Sequence, residues 1–233
     1  MAKVFSNSAA KIDFSLAPEP TRFEQTLADV CSEHEQWRAA MNEEMASMAQ
    51  FGVFRRVPRS AAGHRQVLGC RWVFKRKTGK LGTVTRYRAR LVAQGFLQRP
   101  HDSFNPDETF SPVVHKDSLR LFLSVSAAEN LIIYQADVKA AFLQAPLVER
   151  IYMRAPPGFG SVGPDGQEEI LELSQAIYGL KQSSAVFFAA VNNHLSANGF
   201  KSVLGDPCLF RRVLPNGKVI LCCRCRRPLF QCA

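Results

Sequence analysis

Cys70-Arg71-Trp72-Val73-Phe74-Lys75-Arg76-Lys77 and Thr85-Arg86-Tyr87-Arg88-Ala89-Arg90-Leu91-Val92-Ala93-Gln94 are the two runs on which the reading of this sequence turns. Both are rich in Val, Trp, Phe, Thr and Tyr, which suit a pleated surface, and Gly79 and Gly82 punctuate the gap between them. The pair predicts two strands joined by a turn. Successive side chains of a strand alternate between faces, so Arg86, Arg88 and Arg90 share one face of the second run, and Arg71, Lys75 and Lys77 share a face of the first. The expected hairpin is a cationic paddle.

The charge around it is as one-sided as the hairpin itself. Between Met45 and His101 there are thirteen Lys or Arg and no Asp or Glu; the other 17 basic residues are outnumbered by the chain's 20 acids. One segment therefore carries the whole excess of +10, with Trp72, Phe74 and Tyr87 interleaved. A solvated basic face would show the same composition, but a total lack of acids over such a length favours a surface that holds phosphates.

The remaining composition excludes several classes. With 233 residues and 46% hydrophobic content the chain can bury one or two cores. No apolar run approaches the roughly 20 residues of a membrane span, and Met1 to Ala10 holds no signal-peptide block, so no membrane partner is expected. Seven cysteines, four of them crowded into the last dozen residues, do not form a disulfide framework.

Along the chain, residues 1–19 read as a loose leader. Leu27, Val30, Trp37, Met41, Met45 and Met48 recur at helical steps and predict one or two amphipathic helices as core elements. A Pro-rich loop precedes a helix expected over Lys116 to Glu129, followed by a short strand-like run, Leu131 to Val138, that closes on Asp137. An acid ending an apolar strand is either an ordinary cap or the holder of a cation. Ser174 to Asn198 reads as helical in two parts, and Pro215-Asn216-Gly217 as the turn of a last hairpin.

Taken in order, these blocks resemble a family. Trp37-x3-Met41-x2-Glu44, Arg71-Trp72-Val73-Phe74-Lys75, Arg86 to Phe96, Glu108-Thr109-Phe110-Ser111-Pro112-Val113, Gln135-x-Asp137-Val138-Lys139-x-Ala141-Phe142-Leu143, Tyr152-Met153-x3-Pro157-Gly158-Phe159 and Tyr178-Gly179-Leu180-Lys181-Gln182-Ser183 look like the reverse transcriptase of copia-type retrotransposon polyproteins. The likeness runs from about Pro20 to about Leu221.

That resemblance implies an α+β right-hand polymerase fold: residues 1–33 a leader and the start of a helical region, 34–115 fingers carrying the basic hairpin, 116–221 a partial palm, and 222–233 an aberrant Cys/Arg tail. It implies a template-primer of RNA or DNA and deoxynucleoside triphosphates as substrates, magnesium as cofactor, and integrase and ribonuclease H segments elsewhere in the parent polyprotein. Lys75, Lys77, Arg88 and Arg90 become candidates for triphosphate and backbone contacts. Asp137 falls on the first metal-binding carboxylate of the palm, Phe142 on the residue beneath the nucleotide sugar, and Gln182 on one lining the nucleotide pocket.

The departures are as informative as the matches. The family's Asp-Asp pair is due after Val219-Ile220-Leu221, where this chain reads Cys222-Cys223-Arg224-Cys225-Arg226-Arg227-Pro228. Ser184-Ala185 stand in place of Pro-Arg, Phe187 in place of Trp, and Gln144-Ala145 in place of a polar-Gly pair. The spacing of the tail thiols does not suit zinc. A one-nucleotide frame shift over Cys225 to Phe230 permits Val-Asp-Asp-Leu-Phe-Phe, so the expectation is a polymerase domain read one frame away from its own carboxylate pair and impaired in catalysis.

Overall fold

The structure, a computed structural model, describes residues 18–79, 82–164, 166–203, 205–215, 219–224 and 229–232. Its elements in chain order are α1 (His34–Gln50), β1 (Phe54–Pro58), β2 (Val67–Leu68), β3 (Cys70–Thr78), β4 (Val84–Ala93), α2 (Lys116–Ala128), β5 (Ile133–Ala136), β6 (Pro146–Arg154), β7 (Glu169–Gln175), α3 (Ser183–Ala197), β8 (Lys201–Val203), β9 (Asp206–Val213), β10 (Val219–Arg224) and β11 (Leu229–Cys232). No helix among the described residues is long and apolar enough to cross a membrane.

Three sheets organise the chain. The β3–β4 hairpin stands as its own two-stranded sheet, beside a four-stranded sheet in the order β1-β7-β6-β2 and a five-stranded sheet in the order β5-β11-β10-β9-β8. Every pairing is antiparallel except β2 with β6. The four-stranded sheet joins residues 54–58 to residues 146–175, so it crosses position 115 of the sequence.

The helical stripe of α1 does what its period predicts. Trp37, Met41 and Met48 are buried against Trp72 and Phe74 of β3, Leu91 of β4, and Ile151, Met153 and Leu171 of the neighbouring sheet. The Trp37 ring meets Phe74 and Tyr87 edge-on, with centroids 5.3 and 4.8 Å away. The stripe does not extend upstream: Leu27 and Val30 are exposed, because the chain makes a short 3-10 turn at Phe23–Thr26 and enters the α-helix only at His34.

The first part of the helix expected over Ser174 to Asn198 is absent. Residues 174–182 finish β7 and then turn, and the helix begins at Ser183. The backbone donors there are taken by other segments: Ala176 N–H donates to the Ala145 carbonyl and Ala93 N–H to the Tyr178 carbonyl, both at 2.8 Å. Gly179 stands at φ 95°, outside any right-handed helix. The second part ends where expected, with Asn198 as cap and Gly199 at φ 79°.

A separate core holds the five-stranded sheet. Phe122 of α2 packs on Leu209 of β9, with Leu119, Leu131 and Val203 around them. Asp206 ties the two elements, accepting from the His115 N–H at 3.0 Å ahead of α2 and from the Cys208 N–H at 2.8 Å. The hairpin read from Pro215-Asn216-Gly217 forms, with Val219 opposite Val213; residues 216–218 lie outside the described residues. Of the last residues, β10 runs to Arg224 and β11 inserts between β10 and β5, pairing Cys223 with Phe230 and Leu229 with Ala136. Backbone pairing of this kind asks for extended chain, not for particular side chains.

Candidate nucleic-acid interface

The hairpin register decides the shape of the cationic face. Val73 stands opposite Arg90, Lys75 opposite Arg88 and Lys77 opposite Arg86, so the cations of both strands share one face while Trp72, Phe74, Ala89 and Leu91 fill the other. Like charges directly opposite each other repel. The structure answers with acids from outside the acid-free segment: Lys75 Nζ lies 3.0 Å from Glu19 Oε2, and Arg86 pairs with Glu43. Lys77 and Arg88 are exposed and enter no ion pair with a described residue.

Arg76 leaves this face altogether. Its side chain points to the apolar side, where Nε donates to Glu33 Oε2 at 3.1 Å over the Trp37 ring; Tyr87 Oη donates to Glu33 Oε1 at 2.7 Å. Burial pushes the Glu33 carboxyl up, but the Tyr87 hydroxyl and Arg76 outweigh it and hold it below the usual value. Glu44 behaves oppositely: its burial prevails over the Leu91 N–H it accepts from and over Arg90 and Arg88, so its carboxyl is raised.

Arg90 links the hairpin to a second group of candidates. Its guanidinium lies 4.5 Å from the centroid of the Tyr178 ring, Tyr178 meets Phe142 edge-on at 5.0 Å, and Phe142 meets Phe187 at 6.1 Å. The Tyr178 segment reaches this place through a glycine contact. A Cβ on Gly95 would stand 2.0 Å from the Gly179 carbonyl oxygen, and one on Gly179 2.2 Å from that of Ala93. Both glycines sit in the sequence blocks of the family resemblance, and this contact is the physical reason for them.

Gln182 is 1% exposed, and its amide is committed internally. Its Nε2 donates to the Ser103 carbonyl at 3.0 Å and its Oε1 accepts from Gln98 Nε2 at 3.0 Å. It is therefore packed against the 98–103 segment rather than on an open surface. Asp137 is exposed, one residue beyond the end of β5, and Phe142 follows on a 3-10 turn, Ala141–Gln144.

Among the described residues no three His, Cys, Asp or Glu are grouped to hold a metal ion. Asp137 faces the end of β11, since Ala136 pairs with Leu229, and the residues that connect β10 to β11 read Cys225-Arg226-Arg227-Pro228, without a carboxylate. These residues lie outside those described. Among the described residues the donor set does not fit a pair of divalent cations.

Sequence reasoning finds the hairpin and its register of charge. It does not reach the countercharges Glu19, Glu33 and Glu43, nor the tie at Asp206. The signal for the first three was the acid-free segment itself, because a face with so much positive charge must draw its partners from outside.

Residues 53–225 match the family described as reverse transcriptase (RNA-dependent DNA polymerase). The chain is 37% identical over 210 residues to the retrovirus-related Pol polyprotein from transposon RE1 of Arabidopsis thaliana, covering 90% of this chain and 14% of that protein. It is 36% identical over 200 residues to the corresponding polyprotein from transposon TNT 1-94 of Nicotiana tabacum, 84% of this chain and 15% of the relative. It is 32% identical over 159 residues to the transposon Ty1-ER2 Gag-Pol polyprotein of Saccharomyces cerevisiae, 68% and 8% respectively. The chain thus spans about one seventh of the length of its plant relatives. It belongs to the reverse transcriptase (RNA-dependent DNA polymerase) family, as a domain of the copia-type retrotransposon Pol polyproteins.

Proposed function

We propose that this chain carries the fingers and part of the palm of a right-hand polymerase, that it holds nucleic acid, and that it does not by itself transfer nucleotides. In this reading α1, the hairpin and the four-stranded sheet are fingers, and α2 with the five-stranded sheet is palm. The template-primer lies across the cationic face, with Lys77 and Arg88 on phosphates and Arg90 held flat by Tyr178. Phe142 stands beneath the sugar of a deoxynucleoside triphosphate, backed by Gln182. Integrase and ribonuclease H segments belong to the parent polyprotein.

The observation that carries the catalytic half is the Ala136–Leu229 pairing. It pairs the last residue of β5, next to Asp137, with the first residue of β11, and the family's other carboxylates are due in the sequence between β10 and β11. Reverse transcriptases use a divalent metal, generally magnesium, whose chemistry is to lower the charge cost of phosphoryl transfer. In sequence that stretch carries two arginines and no carboxylate, and guanidinium charge near the site would repel such an ion. Asp137 alone cannot cage it.

Primer extension on an RNA template with magnesium is expected to be blank, and equally blank for Asp137→Asn. Retention on RNA or DNA is expected to weaken steeply as salt rises, through counterion release. Incorporation that is lost in Asp137→Asn would falsify the catalytic half. Genomic DNA past codon 221 tests the frame shift: no Asp-Asp codon pair in either other frame removes it.

A further inference from the structure

The cationic face is not open along its whole length. Glu19 accepts from Lys75 Nζ with Oε2 at 3.0 Å and from the Arg76 backbone N–H with Oε1 at 2.8 Å. An ammonium and an outward-facing amide on the edge of β3 thus cradle the two oxygens of one oxyanion. The acid is delivered by a seated strap: Pro20 and Thr26 are buried, Phe23 packs on Gly158, and Glu33 anchors the far end to Arg76 and Tyr87. Pro18 and Pro20 flank Glu19 and restrict the backbone that presents it.

We propose that Lys75 and the Arg76 amide form a phosphate seat of the nucleic-acid face, and that Glu19 occupies it as a built-in competitor, so that the strap Pro18 to Glu33 must yield its carboxylate before a backbone phosphate can bind there. Lys75 stands opposite Arg88 and two residues from Lys77 on the same face, so a strand that tracks from Arg90 to Lys77 must cross this seat. A tethered carboxylate competes at the high effective concentration of a short linker, and it lowers the apparent affinity by the fraction of molecules in which the seat is filled. This inference rests on the nucleic-acid reading above and specifies one of its contacts.

The test is fluorescence anisotropy of labelled oligo(dT) over about 50 to about 200 mM salt, with the full chain, Glu19→Gln, Glu24→Gln and Glu19→Gln/Lys75→Gln. Glu24 is exposed and is not the acid that takes Lys75 and the Arg76 amide, which is Glu19, and the Glu24 variant makes the same change of net charge. One freed cation adds about 0.7 to the slope of log affinity against log salt. Glu19→Gln should therefore bind several-fold more tightly than Glu24→Gln at the low end, an advantage that shrinks by about threefold across the range. The double variant should lose both gains. In the unmutated chain, oligo(dT) should also speed tryptic cleavage after Arg22 as the strap loosens.

Equal slopes for Glu19→Gln and Glu24→Gln, with cleavage unchanged by oligo(dT), overturn the seat while leaving nucleic-acid binding intact. Absence of binding in every variant overturns both. Binding that appears only in Glu19→Gln supports the strap as a complete block.

Discussion

At Gly95 and Gly179 the chain comes close enough to itself that one methyl group has no room. The blocking atoms are carbonyl oxygens of the backbone, which cannot swing aside as a flexible side chain would, and Gly179 also needs its positive φ. Gly179→Ala is expected to lower stability by about 2–4 kcal/mol, read as a fall in the urea midpoint. It should also weaken the Arg90–Tyr178 contact. Asp206 is a second such point: its two oxygens accept backbone N–H bonds from His115, ahead of α2, and from Cys208 of β9. Asp206→Ala should cost about 3 kcal/mol, since bonds to a charged acceptor contribute about 1.5–3 kcal/mol each, and Asp206→Asn should recover part of it. The glycines were legible in the sequence as members of conserved-looking blocks, though their partner was not. Asp206 was not legible at all, because an Asp before a strand reads as any turn residue.

The hairpin is the element most completely legible before folding. Its alternation survives intact because each strand has one apolar and one cationic face, and only one register buries Trp72, Phe74, Ala89 and Leu91 together. Arg76 is the exception that alternation predicts and charge does not: its place in the period puts it on the buried face, where Glu33 and the Tyr87 hydroxyl receive it. Arg76→Met is expected to destabilise by about 3 kcal/mol or more, because Glu33 is left half-buried without its cation. The strands β1, β6 and β7 were illegible for the opposite reason. Runs such as Glu169–Gln175 gain their burial from strands far away in the chain, and the Ser174 to Gln182 stretch mimics a helix until Gly179 must meet Ala93.

These acids also set the acid limb of stability. Burial raises the carboxyls of Glu19, Glu33 and Asp206, but their donors and cations overcome it and leave each below its ordinary value. A lowered folded pKa gives stability that is complete above the unfolded value of about 4 and is lost as pH falls through the folded one. Glu44, with its raised pKa, works the other way and loses its contribution as pH rises through that value. The urea midpoint is expected to fall steeply below about pH 4 and to fall less in Glu33→Gln.

For the molecule as a whole, the five-stranded sheet leaves β5 as an outer strand whose residues are exposed, with Ile133 at 41% and Tyr134 at 57%, and α2 exposes Leu121 and Leu123 as well. An apolar outer strand with free backbone groups is a template for association. Sedimentation is expected to show size increasing with concentration, and Tyr134→Lys should reduce that increase. The candidate site was legible as a set of residues and not as an assembly, since what joins Arg90 to Phe142 is the Tyr178 ring, and what stands beside Asp137 is a strand drawn from the last residues of the chain.

Opposed cations along β3 and β4 have a bearing on how the chain is made. A peptide holding only those two strands would push itself apart at Lys75–Arg88 and Lys77–Arg86. Yet Glu19, Glu33, Glu43 and Glu44 all precede the first of these cations in the sequence. A ribosome therefore releases the neutralising half first, and Lys75, Arg76 and Arg86 emerge into the company of acids already waiting for them.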